Sequence, residues 1–154
     1  MMHLHHRPSM LPTLQMPKFW RPKTPAATVS TVQIIHWDLI HMFTHGTAQK
    51  ADLFDWLESG YTAAQLLRLL ALDGRAFTGE AHTAIREVLA IHPAVEARFV
   101  RTGRVGFNAE ELLIARAAAS VMDSLLELDR HGIALQACMA AVEQMRSVRA
   151  RYAA

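Results

Sequence analysis

Apolar residues recur at intervals of three and four along most of the chain, which is the spacing of one face of an α-helix. The first such series precedes Gly46 and consists of Val32, Ile35, Leu39, Met42 and Phe43. Because glycine commonly ends a helix, this pattern predicts a helix from about Val29 to Gly46. No segment has the alternating pattern of a half-buried strand, so the chain is predicted to be all-α, a small helical bundle.

Four shorter helical segments follow, separated by glycine or proline. They are Ala48–Glu58, Ala63–Leu72, Gly79–Ala90 and one or two turns within Ala94–Arg101. Gly60, Gly74 and Pro93 are expected to end the first three. Thr62 followed by Gln65 is the pattern of a capping box, which marks the start of a helix. A short helix, a tight turn and two further helices make the outline of a helix-turn-helix module.

Two longer helices are predicted in the C-terminal third. Asn108 and Glu111 form a second capping box at the start of the first of them. Apolar residues within 114–128 then step by four and three, which is a coiled-coil-like seam. A turn at 129–132 separates this helix from another at 133–151. The short connection predicts an antiparallel αα-hairpin.

The first hairpin helix also carries a second apolar face beside the seam. One partner helix can cover only one of the two faces, so the other is expected to meet the short helices or a second chain. Large exposed apolar patches tend to mark interfaces, and symmetric dimers are the commonest way to cover them. A homodimer is therefore predicted, with an assembly surface made of Leu113, Met122 and Leu126.

The N-terminal segment differs from the rest in charge and composition. Residues 1–28 contain four basic side chains, no acidic ones and five prolines, and they have no helical period. The adjacent aromatics Phe19 and Trp20 are expected to bind a partner or the body of the protein. The predicted division of the chain is a flexible basic arm at 1–28 and one helical domain at 29–154, made of a short-helix cluster (29–101) and the hairpin (108–152).

Candidate catalytic or metal-binding chemistry is sparse. Asp38, His41 and His45 fall on one side of the first predicted helix and could share a metal ion, although solvated surface positions explain them more simply. The single cysteine, Cys138, is expected to be a packed small hydrophobe rather than a reactive thiol. No phosphate-binding loop, nucleophile elbow or zinc signature occurs. These observations predict a protein that is not an enzyme and needs no cofactor or metal.

Basic residues also cluster within the body of the chain. Arg98, Arg101 and Arg104 lie close together on either side of a predicted helix end. With the aromatic pair of the arm, they are candidates for the electrostatic part of a partner-binding surface.

Residues 57–67, Leu-Glu-Ser-Gly-Tyr-Thr-Ala-Ala-Gln-Leu-Leu, resemble the helix entry found in many bacterial helix-turn-helix regulators. The same stretch is similar to the all-helical D-type subunits of flagellar master regulators, which dimerise and act with a partner subunit. Each resemblance covers about 40 residues of the chain. The resemblance implies a supporting helix at 62–72 and a recognition helix at 78–90. The side chains that it would bring to DNA are Arg75, at a phosphate, and Glu80, His82, Thr83 and Arg86, in the groove.

The function predicted from these features is that of a small, non-enzymatic, intracellular regulator. It would bind DNA, a larger regulatory protein or both. The alternative is a helical adaptor, chaperone or assembly component that binds only protein. One cysteine and no apolar run long enough to span a bilayer predict a cytoplasmic protein without a membrane partner.

Overall fold

The computed structural model describes residues 25–129 and 132–153, and most of these residues are helical. None of them forms a strand, so the predicted all-α bundle is confirmed. Residues 1–24 of the predicted arm, which include Phe19 and Trp20, lie outside the described residues. The described helices are α1 (Pro25–His45), α2 (Lys50–Leu72), α3 (Gly79–Thr102), α4 (Ala109–Glu127) and α5 (Ile133–Arg151).

Helix α1 begins earlier than predicted and ends where predicted. Its last turn is closed by a hydrogen bond of 3.1 Å from the backbone N–H of Thr47 to the carbonyl oxygen of Met42. Gly46 between them has a φ of 69°, a left-handed conformation that glycine adopts without strain. The apolar face predicted from the three- and four-residue spacing is buried, as Leu39 (1% exposed) illustrates.

Helix α2 is continuous through the segment predicted to be a turn, so the predicted short helix, turn and capped helix are wrong. The hydroxyl of Ser59 donates to the carbonyl oxygen of Trp56 at 2.7 Å, and that of Thr62 donates to Glu58 at 3.0 Å. These bonds to the preceding turn are those of hydroxyl residues inside a helix, not of an N-cap. The first two helices of the predicted helix-turn-helix outline are therefore one long helix, and a loop separates it from the third.

Gly60 lies within α2 because another helix needs the space beside it. A β-carbon at this position would lie 2.6 Å from the ring of His92 on α3, far inside contact distance. Glycine here permits close helix packing rather than ending the helix. Helix α3 likewise continues past Pro93, and residues beyond it, such as Val95, are buried. The predicted break at His92-Pro93 is wrong, since packing outweighs the one backbone hydrogen bond that proline cannot donate.

Helix α4 starts with the predicted capping box. The backbone N–H of Glu111 donates to Asn108 Oδ1, and the backbone N–H of Asn108 donates to Glu111 Oε2, each at 2.8 Å. Helix α5 is capped differently: the carboxylate of Asp129 accepts from the backbone N–H groups of Ile133 (2.9 Å) and Ala134 (3.0 Å). The predicted turn between the helices is therefore confirmed at its two described ends.

The predicted αα-hairpin is not the packing that the structure has. Among the described residues, α5 lies mainly against α2, whereas α4 packs on α3 and α1 and has little contact with α5. Hydrogen bonds from Gln65 to Gln144 and from Arg149 to Glu58 show that α2 and α5 run antiparallel. The small buried side chains of α5 allow this close approach, because the distance between helix axes depends on the side chains at the contact. They include Ala134, Ala137 and Ala141.

Candidate partner-binding surface

A groove with a volume of about 590 Å³ runs along the outer side of α1, beside the start of α2. Its lining consists of Ile34, Ile35, Asp38, Leu39, His41, Met42 and Asp52. Ile34 is 61% exposed although it is apolar. It shares a face with Asp38 and His41, because residues three and four apart on a helix are neighbours. This surface is hereafter called the α1 groove.

The charged groups of the α1 groove are acidic. Asp38 is exposed on α1, and Asp52 is half-buried at the first turn of α2. One carboxylate oxygen of Asp52 accepts a hydrogen bond of 2.7 Å from the backbone N–H of Gln49 and so holds the start of that helix. The remaining lining is mostly apolar, which makes the groove complementary to an apolar ligand with positive charge.

Asp38, His41 and His45 do not form a metal site. No three His, Cys, Asp or Glu side chains in the described part of the chain are placed to hold a metal ion. The rings of the two histidines stack with centroids 4.0 Å apart, and the Nδ1–H of His45 donates to the carbonyl oxygen of His41 at 2.8 Å. The second histidine thus satisfies a carbonyl at the end of α1.

Trp37 borders the same exposed face of α1, on the side that is next to α4. Neither Trp37 nor Ile34 was predicted from the sequence to be a binding residue. Trp37 is 37% exposed, and its indole N–H donates to Asp123 Oδ2 at 2.8 Å. The available signal was that both side chains are apolar and yet fall outside the buried series of α1. An apolar residue on the polar side of an amphipathic helix is a candidate for binding rather than for the core.

The side chains predicted to meet DNA lie at the surface. Arg75 is exposed in the loop after α2, and Glu80, His82 and Arg86 are exposed on the first two turns of α3. Thr83 is half-buried and accepts a hydrogen bond of 3.4 Å from Arg86. The proposed supporting and recognition helices are parts of α2 and α3. DNA contact by these residues stays a prediction.

The first arginine of the predicted partner-binding cluster has an internal role. Arg98 contacts both carboxylate oxygens of Glu111, at 2.7 and 2.8 Å, and donates to the carbonyl oxygen of Gly106 at 2.9 Å. It therefore joins α3 to the start of α4, and because its side chain is still 28% exposed, its predicted role in partner binding stays a prediction. Arg101 and Arg104 are exposed, and their predicted role in binding is untested.

The predicted assembly surface is largely covered within the chain. Met122 and Leu126 are 0% and 1% exposed and belong to the main core, whereas Leu113 is 67% exposed. Of the two predicted ways to cover this face, the short helices or a second chain, the structure has the first. A charged residue at position 126 would therefore disrupt the core rather than dissociate a dimer.

A buried ion cluster between α2 and α5 was not predicted. Glu58 is 0% exposed and accepts a hydrogen bond of 2.8 Å from Arg149 through Oε2, while the carboxylate of Asp55 lies 3.6 Å from the same guanidinium. Glu58 Oε1 is buried without a partner in the described structure. Burial raises the pKa of Asp55 to about 7, and Glu58 adds to the shift while Arg149 opposes it. The guanidinium of Arg149 thus interacts with the buried carboxylates of both Glu58 and Asp55.

Three other titratable groups are held neutral by burial. Burial lowers the pKa of His36 and of His92 to about 4, and it raises the pKa of Cys138 to about 12. His92 packs edge-on against Trp56 and Tyr61, with ring centroids 4.7 and 5.6 Å apart. The interpretation of the thiol as a packed small side chain agrees with its 1% exposure. These groups are part of the core rather than of a reactive site.

Comparison with protein-family models, with curated proteins and with solved structures found no match. None of the helices within residues 25–129 and 132–153 has the length and apolar character needed to cross a bilayer.

The α1 groove is the candidate binding site that the geometry favours.

Proposed function

We propose that this protein acts by binding another protein through the α1 groove, which is the adaptor alternative rather than a DNA-binding regulator. The observation that carries the proposal is Ile34, an isoleucine 61% exposed beside a groove of about 590 Å³. Exposing such a side chain has a hydrophobic cost that docking of an apolar ligand removes.

The partner expected is an amphipathic helix with basic residues beside its apolar stripe. Helices that bind in grooves present apolar anchors at three- and four-residue spacing, which suits the elongated apolar lining along α1. Asp38 and Asp52 would face the basic residues and contribute mainly to specificity and to the association rate.

DNA is the less favoured partner on grounds of charge. The acidic α1 groove would repel phosphate. The DNA-contacting residues predicted elsewhere offer Arg75 and Arg86 but place Glu80 between them. Non-specific DNA affinity depends on many phosphate contacts with lysine and arginine, and this surface provides few.

Fluorescence anisotropy of a labelled, helical leucine–lysine peptide tests the proposal with the full chain. We expect Ile34→Glu to weaken binding at least about tenfold, a loss of about 1.4 kcal/mol. Leu113→Glu is the matched control, because Leu113 is similarly exposed (67%) and does not line the groove. Equal weakening by both variants, or none by either, would refute the site.

The same assay with labelled duplex DNA at two salt concentrations tests the alternative. Salt-sensitive binding that is lost when Arg75 and Arg86 are replaced by alanine would favour the DNA-binding regulator. Our proposal expects DNA binding to be weak and unaffected by Ile34→Glu.

A further inference from the structure

The α1 groove lies within reach of the chain that leads into α1. Ile34 follows Pro25 by nine residues, which is roughly 14 Å along a helix at a rise of about 1.5 Å per residue. Phe19 precedes Pro25 by six residues, and six residues of backbone can span up to about 20 Å. A reversal of direction before α1 would therefore bring the aromatic pair at positions 19 and 20 alongside the groove.

The charge of this segment complements the groove. Lys18, Arg21 and Lys23 flank the aromatic pair, and residues 1–24 contain no acidic side chain. The charged groups that line the groove are Asp38 and Asp52. Two adjacent aromatics between basic residues have the chemistry that we propose for the external partner, namely apolar anchors with positive charge beside them.

From this reach and complementarity, we infer that the chain's own segment around Phe19 and Trp20 docks in the α1 groove and competes with the partner. The inference rests on the proposed function for its consequence, since competition requires that the groove bind a partner. Because the segment is tethered to the helix that it would contact, its effective concentration would be in the millimolar range, and a weak contact is enough to occupy the site. The segment would then set the affinity of the free protein for its partner.

A spin label placed near the aromatic pair detects the contact directly. The native thiol, Cys138, is 1% exposed, so a cysteine introduced as Gln15→Cys is the reactive one. We expect paramagnetic broadening of backbone amide signals at residues 34–42 and 49–52 in the full chain. Replacing Phe19 and Trp20 by alanine in the labelled protein should abolish it. No selective broadening at these residues, or broadening unchanged in the alanine variant, would overturn the inference.

Peptide binding separates this inference from the proposed function. If both hold, the alanine variant should bind the leucine–lysine peptide about tenfold more tightly than the wild type, because the competitor is removed. Broadening without any peptide binding would leave the docked segment in place and refute the partner site. Peptide binding of equal affinity in the two proteins would overturn the competition.

Discussion

Helices α1 and α2 are both rich in apolar residues, yet they differ in how their surfaces are used. Residues 53–60 of α2 are buried without interruption, because α1, α3, α4 and α5 all pack around this helix. Helix α1 has neighbours on one side and leaves Ile34 and Trp37 exposed on the other. A segment surrounded on all sides, as residues 53–60 are, contributes to folding with every face, whereas a peripheral helix can present apolar side chains for binding.

The largest expected effect is the difference in folding free energy between two variants that place a glutamate in α2 and in α1. Leu66→Glu in α2 buries an unpaired carboxylate at a side chain that is 0% exposed, and we expect a loss of at least about 4 kcal/mol of folding free energy. Ile34→Glu should change it by less than about 1 kcal/mol. Urea denaturation followed by circular dichroism measures both. Similar losses in the two variants would remove the distinction between the helices.

Arg149 tests whether the interior of the α2–α5 contact depends on its ion cluster. Arg149→Met leaves Glu58 and Asp55 buried without their cation, and since the arginine is itself 36% exposed we expect a loss of about 2–3 kcal/mol. Arg146→Met is the control, because its ion pair with Glu143 is exposed and contributes little. Thermal unfolding of the two variants should separate them clearly, and equal melting temperatures would contradict this role of the cluster.

A substitution at Gly60 tests whether α2 is closely packed against α3. Gly60→Ala places a β-carbon 2.6 Å from the ring of His92, so that buried ring or α3 itself must shift, at a cost of about 1–3 kcal/mol. A β-carbon at Gly79 meets nothing within 4 Å, so Gly79→Ala should be neutral or slightly stabilising. If chemical denaturation shows that Gly60→Ala is stabilising, the tight packing described here is incorrect.

The smallest expected effect is on pH dependence. The pKa of Asp55 is raised to about 7 in the fold, so the stability that this group contributes falls as pH rises from about 4 to about 7. His36 and His92, with pKa values lowered to about 4, act oppositely: their contribution is full above about 6.5 and is lost as pH falls towards 4. Asp55→Asn removes the stabilisation that Asp55 gains on acidification and that offsets the loss from the two histidines. Acidification from about pH 6.5 to about pH 5 should then destabilise the variant by about 1 kcal/mol more than the wild type. Equal dependence of stability on pH in the two proteins would contradict the raised pKa of Asp55.

The parts of the fold that could be predicted depend on neighbouring residues in the chain. The capping box at Asn108 and Glu111 and the end of α1 at Gly46 were predicted because their hydrogen bonds are local. The role of Gly60 depends on His92, which is distant in the chain, and so the glycine was taken for a helix end. The partner of α5 was also mispredicted, because the chain connection favours α4 while the packing surface favours α2.

The candidate site was predictable only in part. The spacing of Asp38 and His41 correctly placed them on one face of α1, but the sequence suggested only solvated positions or, less simply, a metal site there, and not a partner-binding groove. The position of Ile34 outside the buried series of α1 was the available signal, but its degree of exposure also depends on which sides of α1 the other helices leave uncovered. The ion pair of Arg98 was not predicted, because its partner, Glu111, belongs to the next helix.

The central claim is that the α1 groove binds a partner, and mapping the bound peptide on the protein tests it most directly. Backbone amide chemical shifts would be compared with and without the leucine–lysine peptide. We expect that the largest changes fall at residues 34–42 and 49–52 and that Ile34→Glu removes them. Largest changes at residues 75–86, or changes at the α1 groove that persist in Ile34→Glu, would contradict it.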